Sequence, residues 1–332
     1  GGVESFRDLT LVEELRKAAE GRASFQHMTS ANHQMWEIFK LMPLIAQSDS
    51  TVLIHGESGT GKELMARAIH DLSARARKPL VTLNCGALPD TLLEAELFGH
   101  KAGAFTDAKR DRKGRIAAAE GGTLFLDEVG DISPALQVRL LRIIQERTYE
   151  PLGSSDSVKA NVRFLAATHR DLRTEVREGR FREDLFYRLN VMQIAIPPLR
   201  ERKEDIPALA RRFLDRQTTL HGKQIQGFSP EAMDRLMRHS WPGNIRELEN
   251  AVEHAFVLCR QELIRATDLP IGIQGEPPGA LDEAGTLMGK DLRSQELAAI
   301  QAALEHHAGN RTAAARELGI HPTTLWRKLR RT

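Results

Sequence analysis

TVLIHGESGTGKE, residues 51 to 63, is a short apolar run that passes directly into a glycine-rich turn, with a helical pattern, ELMARAIHDLSARA, beginning at residue 63. The order strand, turn, helix is the setting that a phosphate-binding loop requires. Gly56, Glu57, Ser58, Gly59, Thr60, Gly61, Lys62 and Glu63 form that loop: the glycines let backbone N–H groups turn toward phosphate oxygens at a helix N-terminus, and Lys62 reaches the outer phosphates. A glycine turn with a chance lysine is the bland alternative, and the flanking strand and helix argue against it. ATP is the ligand this pattern implies. Glu63 stands where a Ser or Thr would ligate Mg2+, so metal ligation has to lean on other groups or on water.

Outward from the loop, TLFLDE (residues 123 to 128) is a second apolar run, and it ends in adjacent carboxylates. At the C-terminal end of a strand such a pair divides the labour. Asp127 holds the Mg2+ and Glu128 polarises the attacking water. Alone, a run ending in Asp-Glu reads as a solvated strand end; the upstream loop gives it chemistry. VRFLAATH (162 to 169) reads as a third strand, and PALQVRLLRIIQER (134 to 147) as a helix between strands. The class is α/β with a parallel sheet. After Pro197-Pro198 only helical patterns follow, at 206 to 219, 229 to 239 and 244 to 258, which predicts a helical lid.

The 332 residues, 41% hydrophobic and 28% charged, suffice for two or three packed domains. No apolar run approaches the roughly 20 residues that cross a bilayer, and the first ten residues lack the pattern of a secretory signal, so no membrane partner and a cytoplasmic location are expected. Cys85 and Cys259 are far apart and lack zinc-site spacing; they read as reduced thiols. The net charge of +2 is uneven: eight Lys/Arg against four Asp/Glu from Lys290 onward leave an excess of four positive charges there. GIQGEPPGALDEAG (272 to 285) is a Gly/Pro-rich linker. Beyond it, residues 294 to 331 read as three helices, the last two joined by a short turn between Gly319 and Pro322, the spacing of a helix-turn-helix. Arg311, Thr323, Thr324, Arg327 and Lys328 are its candidate DNA-binding residues, with a polar dimerisation hairpin as the alternative.

Taken together, GESGTGKE, LNCGAL (83 to 88), ELFGH (96 to 100), GAFTDA (103 to 108), GGTLFLDE (121 to 128), FREDLFYRLN (181 to 190), PPLRERKEDI (197 to 206) and WPGNIRELEN (241 to 250) resemble one family, the AAA+ domains of sigma-54-dependent activators. The resemblance implies an AAA+ P-loop NTPase, a hexameric ring with ATP between neighbours, and hydrolysis coupled to remodelling of sigma-54 RNA polymerase at promoters. It implies that Asn84 restrains Glu128, that Arg182 and Arg188 reach into the neighbouring site, that Arg246 is a second sensor, and that Thr168 and His169 occupy the first sensor region. Gly103, Ala104, Phe105, Thr106, Asp107 and Ala108 correspond to the loop that touches sigma-54; Asp107 replaces a glycine of the family pattern, and Ile116-Ala117 replace Phe-Glu. The C-terminal segment resembles the Fis-type helix-turn-helix, which implies upstream enhancer DNA as a partner. Residues 1 to 22 resemble the end of a PAS sensor and its exit helix. The expected organisation is therefore 1–22 linker helix, 23–195 AAA+ α/β subdomain, 196–271 helical lid, 272–290 flexible linker and 291–332 all-α helix-turn-helix domain. Two other readings stay open: a DNA-binding regulator that keeps the AAA+ fold without engaging sigma-54 productively, for which Asp107 is the reason, and an ATPase acting on other substrates.

Overall fold

The structure is a computed structural model that describes residues 23–25, 28–104, 108, 110–274 and 307. The expected linker helix within 1–22, most of the expected linker and the DNA-reading helices lie outside the described residues.

Five strands, β1 (Val52–His55), β2 (Leu80–Asn84), β3 (Thr123–Asp127), β4 (Arg163–Thr168) and β5 (Met192–Ala195), form one parallel sheet in the order β5-β1-β4-β3-β2. Register is tight at the centre: Leu165 lies opposite Val52, Arg163 opposite Thr123, and Asn84 opposite Asp127. Because side chains alternate across a strand, Val52 and Ile54 face one layer of helices while Leu53 faces the other, and Phe125 opposes Leu124 and Leu126 in the same way. Burial on both faces is why these segments read as unbroken apolar runs. One layer comprises α1 (His33–Gln47) and α2 (Lys62–Asp71); the other includes α3 (Asp90–Phe98), α4 (Pro134–Glu146), α5 (Leu172–Arg177) and α6 (Glu183–Leu189).

A second apolar core begins at Leu199 and is built on α7 (Ile206–His221), α8 (Pro230–Arg238) and α9 (Asn244–Leu258) around the fully buried Trp241. It continues to Ile273, which sits in a final helical turn, Ile271–Gln274. Ile273, two residues past the expected end of the lid, is thus an apolar side chain packed in this core. The lid is stitched to the α/β layer at its entrance. Asp205 accepts bonds from Ser30 Oγ (2.6 Å) and Ala31 N (2.7 Å), and Asn32, the N-cap of α1, donates to Glu204 Oε1 at 2.8 Å. Both cysteines are buried and free, and burial, with the nearby charge of Asp127, pushes the Cys85 thiol up to about 12. Among the described residues, no helix is long and apolar enough to cross a membrane.

Candidate nucleotide site

The loop expected from the sequence leaves the C-terminal end of β1 at the middle of the sheet, and α2 starts at Lys62. Gly56 N–H donates to Thr168 O (3.2 Å), so the end of β4 supports the start of the loop. The N-terminus of α2 has no side-chain cap: Gly61 precedes it in a left-handed conformation (φ 104°), leaving the first-turn N–H groups for a ligand. Lys62 is buried and donates to Gly56 O (3.0 Å), Glu57 O (3.3 Å) and Glu128 Oε1 (3.3 Å).

The two carboxylates take different environments from one change of backbone. Asp127 ends β3 in regular strand geometry, whereas Glu128 turns left-handed (φ 53°) and leaves the strand direction. Asn84 follows the register: its Nδ2 donates to Asp127 Oδ2 at 3.5 Å, and its Oδ1 accepts Gly86 N–H at 2.9 Å. Asn84 therefore meets the aspartate opposite it and not Glu128, the residue it was expected to restrain. Glu128 is held instead from β4, accepting from His169 N–H (3.2 Å) and contacting His169 Nδ1 at 2.6 Å. Burial acts to raise Glu128, but the bond from His169 and the charge of Lys62 outweigh it, so the group lies below the ordinary glutamate value. Asp127 moves the other way, raised first by burial and then by the neighbouring charge of Glu128. A cation at Asp127 would relieve both causes. Glu63 is exposed in the first turn of α2, with Arg67 4.0 Å away, and among the described residues no three His, Cys, Asp or Glu side chains converge as a metal site.

The lid grips the outer side of the loop. Asn244 is fully buried and left-handed (φ 54°); its Nδ2 donates to Ser58 O (3.0 Å) and Glu57 Oε2 (3.1 Å), while its Oδ1 accepts Leu199 N–H (2.8 Å). Arg200 clamps Glu57 through two bonds, of 2.6 and 2.8 Å, and the buried Arg202 donates to Thr60 O at 2.9 Å. With Arg200 first among the causes and Asn244 second, Glu57 is lowered to about 2. Ile245 N–H donates to Gly59 O at 3.0 Å, and Arg246 Nη1 lies 3.2 Å from Ser58 Oγ. A Cβ at Gly59 would run into the carbonyl oxygen of Gly243, so this glycine serves the close approach of lid and loop. Beside Gly61 opens a cavity of about 490 Å³ whose walls include Met28, Phe39, Leu64, Ile196, Phe213 and Ile245. Its size and apolar lining suit a flat heteroaromatic ring.

The remaining expected residues lie apart from this cluster. Arg182 and Arg188 are exposed at the two ends of α6, around the exposed Tyr187, and Arg182 pairs with Asp184 at 2.7 Å. Of the GAFTDA loop, Gly103, Ala104 and Ala108 are described: Gly103 N–H donates to Ala108 O (2.8 Å), and Asp111 accepts from Ala102 N–H (2.9 Å) and Lys101 (2.7 Å), fixing the stem. Phe105, Thr106 and Asp107, like Arg311, Thr323, Thr324, Arg327 and Lys328, lie outside the described residues.

Residues 28–195 match the family described as the Sigma-54 interaction domain. The chain belongs to the sigma-54-dependent transcription activators. The activator also matches the AAA+ ATPase lid domain over residues 200–285 and the bacterial regulatory proteins of the Fis family over 291–331. It is 56% identical over 304 residues to the transcriptional regulatory protein ZraR of Klebsiella oxytoca, covering 92% of this chain and 68% of that protein. It is 46% identical over 315 residues to the Nif-specific regulatory protein of Azotobacter vinelandii, covering 94% and 60%. Among solved structures it resembles NtrX from Brucella abortus in complex with ATP, with a TM-score of 0.69, 33% identity and coverage of 97% and 73%.

Several residues of the activator's site were not legible as such in the sequence. Asn244 and Arg200 sit inside longer motifs that give neither a role, although an Asn directly after Pro-Gly is a residue suited to a left-handed turn. Gln137 was hidden inside an apolar helical face, where a lone amide is itself the signal that hydrogen-bond partners must exist.

Proposed function

We propose that this chain is an ATP-hydrolysing motor that binds upstream DNA through its C-terminal helices, assembles into a ring, and remodels sigma-54 RNA polymerase into an open complex in the cytoplasm. The observation that carries this reading is the meeting of Lys62, Asp127, Glu128 and His169 at the C-terminal ends of the sheet's central strands, with Lys62 and His169 both on Glu128. The loop and cavity fit ATP, and the ATP and ADP complexes of the similar Brucella NtrX support that ligand. Asp127 fits Mg2+ as a hard, half-buried carboxylate; phosphate oxygens and water would complete the coordination, and the cation would supply charge neutralisation at the transferring phosphoryl group.

The chain's own groups then have distinct tasks. Lys62 exchanges the loop carbonyls for phosphate oxygens, which frees one oxygen of Glu128. Glu128, kept ionised, orients water and accepts its proton, and His169 fixes the carboxylate from the other side. Arg246 reports lid position to the phosphates. Arg182 and Arg188 are exposed on α6 and serve the site of a neighbouring copy, stabilising charge there, so that turnover requires the ring. Gly103 to Ala108 present Phe105 and Thr106 to sigma-54. The domain divisions at 22, 195, 271 and 290 belong to the same proposal, with the lid carried to Gln274.

Transcription in vitro from a sigma-54 promoter with ATP, using the chain as it stands and an Asp107→Gly variant, tests the proposal. Open complexes with either protein support it. If both hydrolyse ATP and neither opens the promoter, the chain is a DNA-binding regulator that keeps the AAA+ fold for assembly, the reading that Asp107 favours.

A further inference from the structure

Gln137 is the one polar side chain among the buried residues of α4, set with Leu136, Leu140, Ile143 and Ile144 and 1% exposed. A buried amide left without partners costs about 1–3 kcal/mol, so its bonds show what it is for. Its Nε2 donates to Arg180 O (2.9 Å) and Ile132 O (3.1 Å), and its Oε1 accepts Arg182 N–H (2.8 Å). Donating to residue 180 and accepting from residue 182 is how one β-strand holds its neighbour; here a single side chain replaces the strand. Phe181, between them, is buried in the core. Arg182 caps α6 in an extended conformation with no side-chain cap bond of its own, and its guanidinium lies on the surface against Asp184.

We propose that Gln137 is a positioning residue that fixes the root of Arg182, so that this arginine reaches a neighbouring copy's nucleotide site with its tip free and its backbone immobile. The inference rests on the reading of Arg182 given above. The third bond adds a coupling. Ile132 lies four residues beyond Glu128, after the single 3-10 turn Val129–Asp131. One amide therefore ties the segment leaving a copy's own acid pair to the arginine that the copy lends. A displacement of that segment on hydrolysis moves the arginine's root with it.

The experiment uses the full chain and Gln137→Met, which keeps the volume and removes all three bonds. Nucleotide affinity, measured by fluorescent-nucleotide binding, stays within twofold, amide exchange over residues 179–185 accelerates, and ATPase falls between about 10- and 100-fold, the cost of misplacing a reacting group by about 1 Å. Mixing then locates the defect. With Lys62→Ala, whose own site is dead but whose arginine is intact, Gln137→Met regains activity; with Arg182→Ala it regains none. Gln137→Glu keeps the acceptor for Arg182 N–H but sets its second oxygen against the carbonyls of Ile132 and Arg180; it is read in the same mixtures, with the same pattern of rescue expected, if Met unfolds the helix. Lost nucleotide affinity, wild-type turnover, or failure of Lys62→Ala to rescue Gln137→Met while rescuing Arg182→Ala would overturn the proposal. Failure of Lys62→Ala to rescue Arg182→Ala removes the intersubunit arginine itself, and Gln137's role with it.

Discussion

Asn244 joins the lid to the phosphate loop, and its replacement is the most direct test of how the two subdomains are held. Asn244→Ala removes the acceptor of Leu199 N–H and the donor to Ser58 O, both at a fully buried side chain. An orphaned buried donor costs about 1–3 kcal/mol, and the loss at Ser58 O adds about 1 kcal/mol. The bond to Glu57 adds little, because that carboxylate is 41% exposed and Arg200 retains it. The backbone stands at φ 54°, where a Cβ costs about 1–2 kcal/mol; Asn244 already carries one, so this cost enters the comparison with glycine and not the loss in alanine. Alanine is thus expected to destabilise lid docking by about 2–4 kcal/mol. Asn244→Gly loses the same bonds without the Cβ penalty but gives back about 0.5–1 kcal/mol through a freer unfolded chain, so it retains about 0.5–1 kcal/mol more stability than alanine. Urea unfolding followed through Trp241 fluorescence, with Trp36 and Trp326 replaced by Phe, reads the lid specifically. A loss under about 1 kcal/mol for alanine, or a glycine variant less stable than alanine, would refute the assignment of the cost to a buried, left-handed joint.

Glu128→Gln keeps the shape of the side chain and removes its basicity; ATPase is expected to fall at least about 100-fold with nucleotide affinity unchanged, and undiminished hydrolysis removes the residue from its role as base. Glu57 is lowered from 4.5 to about 2, so its contribution to stability is fully present above the ordinary value and fades as pH falls through about 2. Between pH 5 and about 3 its carboxyl resonance is expected to stay at the ionised shift while exposed glutamates titrate, and Arg200→Ala to return it toward the ordinary range; an ordinary titration in the unsubstituted chain would contradict the ion pair.

The parts of the fold that the sequence made legible are those whose cause is local. β1, β3 and β4 are central and buried on both faces, so each appears as an apolar run, and the phosphate loop lies within eight consecutive residues. β2 and β5 lie at the sheet edges, where Thr82, Met192 and Gln193 are exposed and the apolar signal is diluted. In α1, Pro43 interrupts the pattern, although the helix persists from the Asn32 cap to Gln47. The partners of the site residues were illegible because they are remote: His169 meets Glu128 across 41 residues, Gln137 meets Arg182 across 45, and Asn244 meets Glu57 across 187. That Asn84 stands opposite Asp127 and bonds it follows from register, a property of strand pairing that no single segment encodes.

The chemistry of these remote contacts divides by task. Three joints use neutral carboxamides, beside the charged Asp205 and Arg202 that also tie the lid to the α/β layer: Asn32 between α1 and the lid entrance, Gln137 between the acid-pair segment and Arg182, and Asn244 between loop and lid. An amide donates and accepts at once and carries no net charge, so the strength of its bonds changes little when a polyanion and a divalent cation arrive nearby. In the function proposed above, the groups that change partners are charged: Lys62 on the loop carbonyls and Glu128, Arg182 on Asp184, Arg200 on Glu57. Their ion pairs respond to every new charge in the site, which is useful at a moving tip and harmful at a hinge. A joint rebuilt as an ion pair would tighten or loosen with each cycle of binding and hydrolysis. An amide at such a joint keeps its donor and its acceptor whatever the charge nearby, so a change in charge at the site leaves that part of the attachment in place.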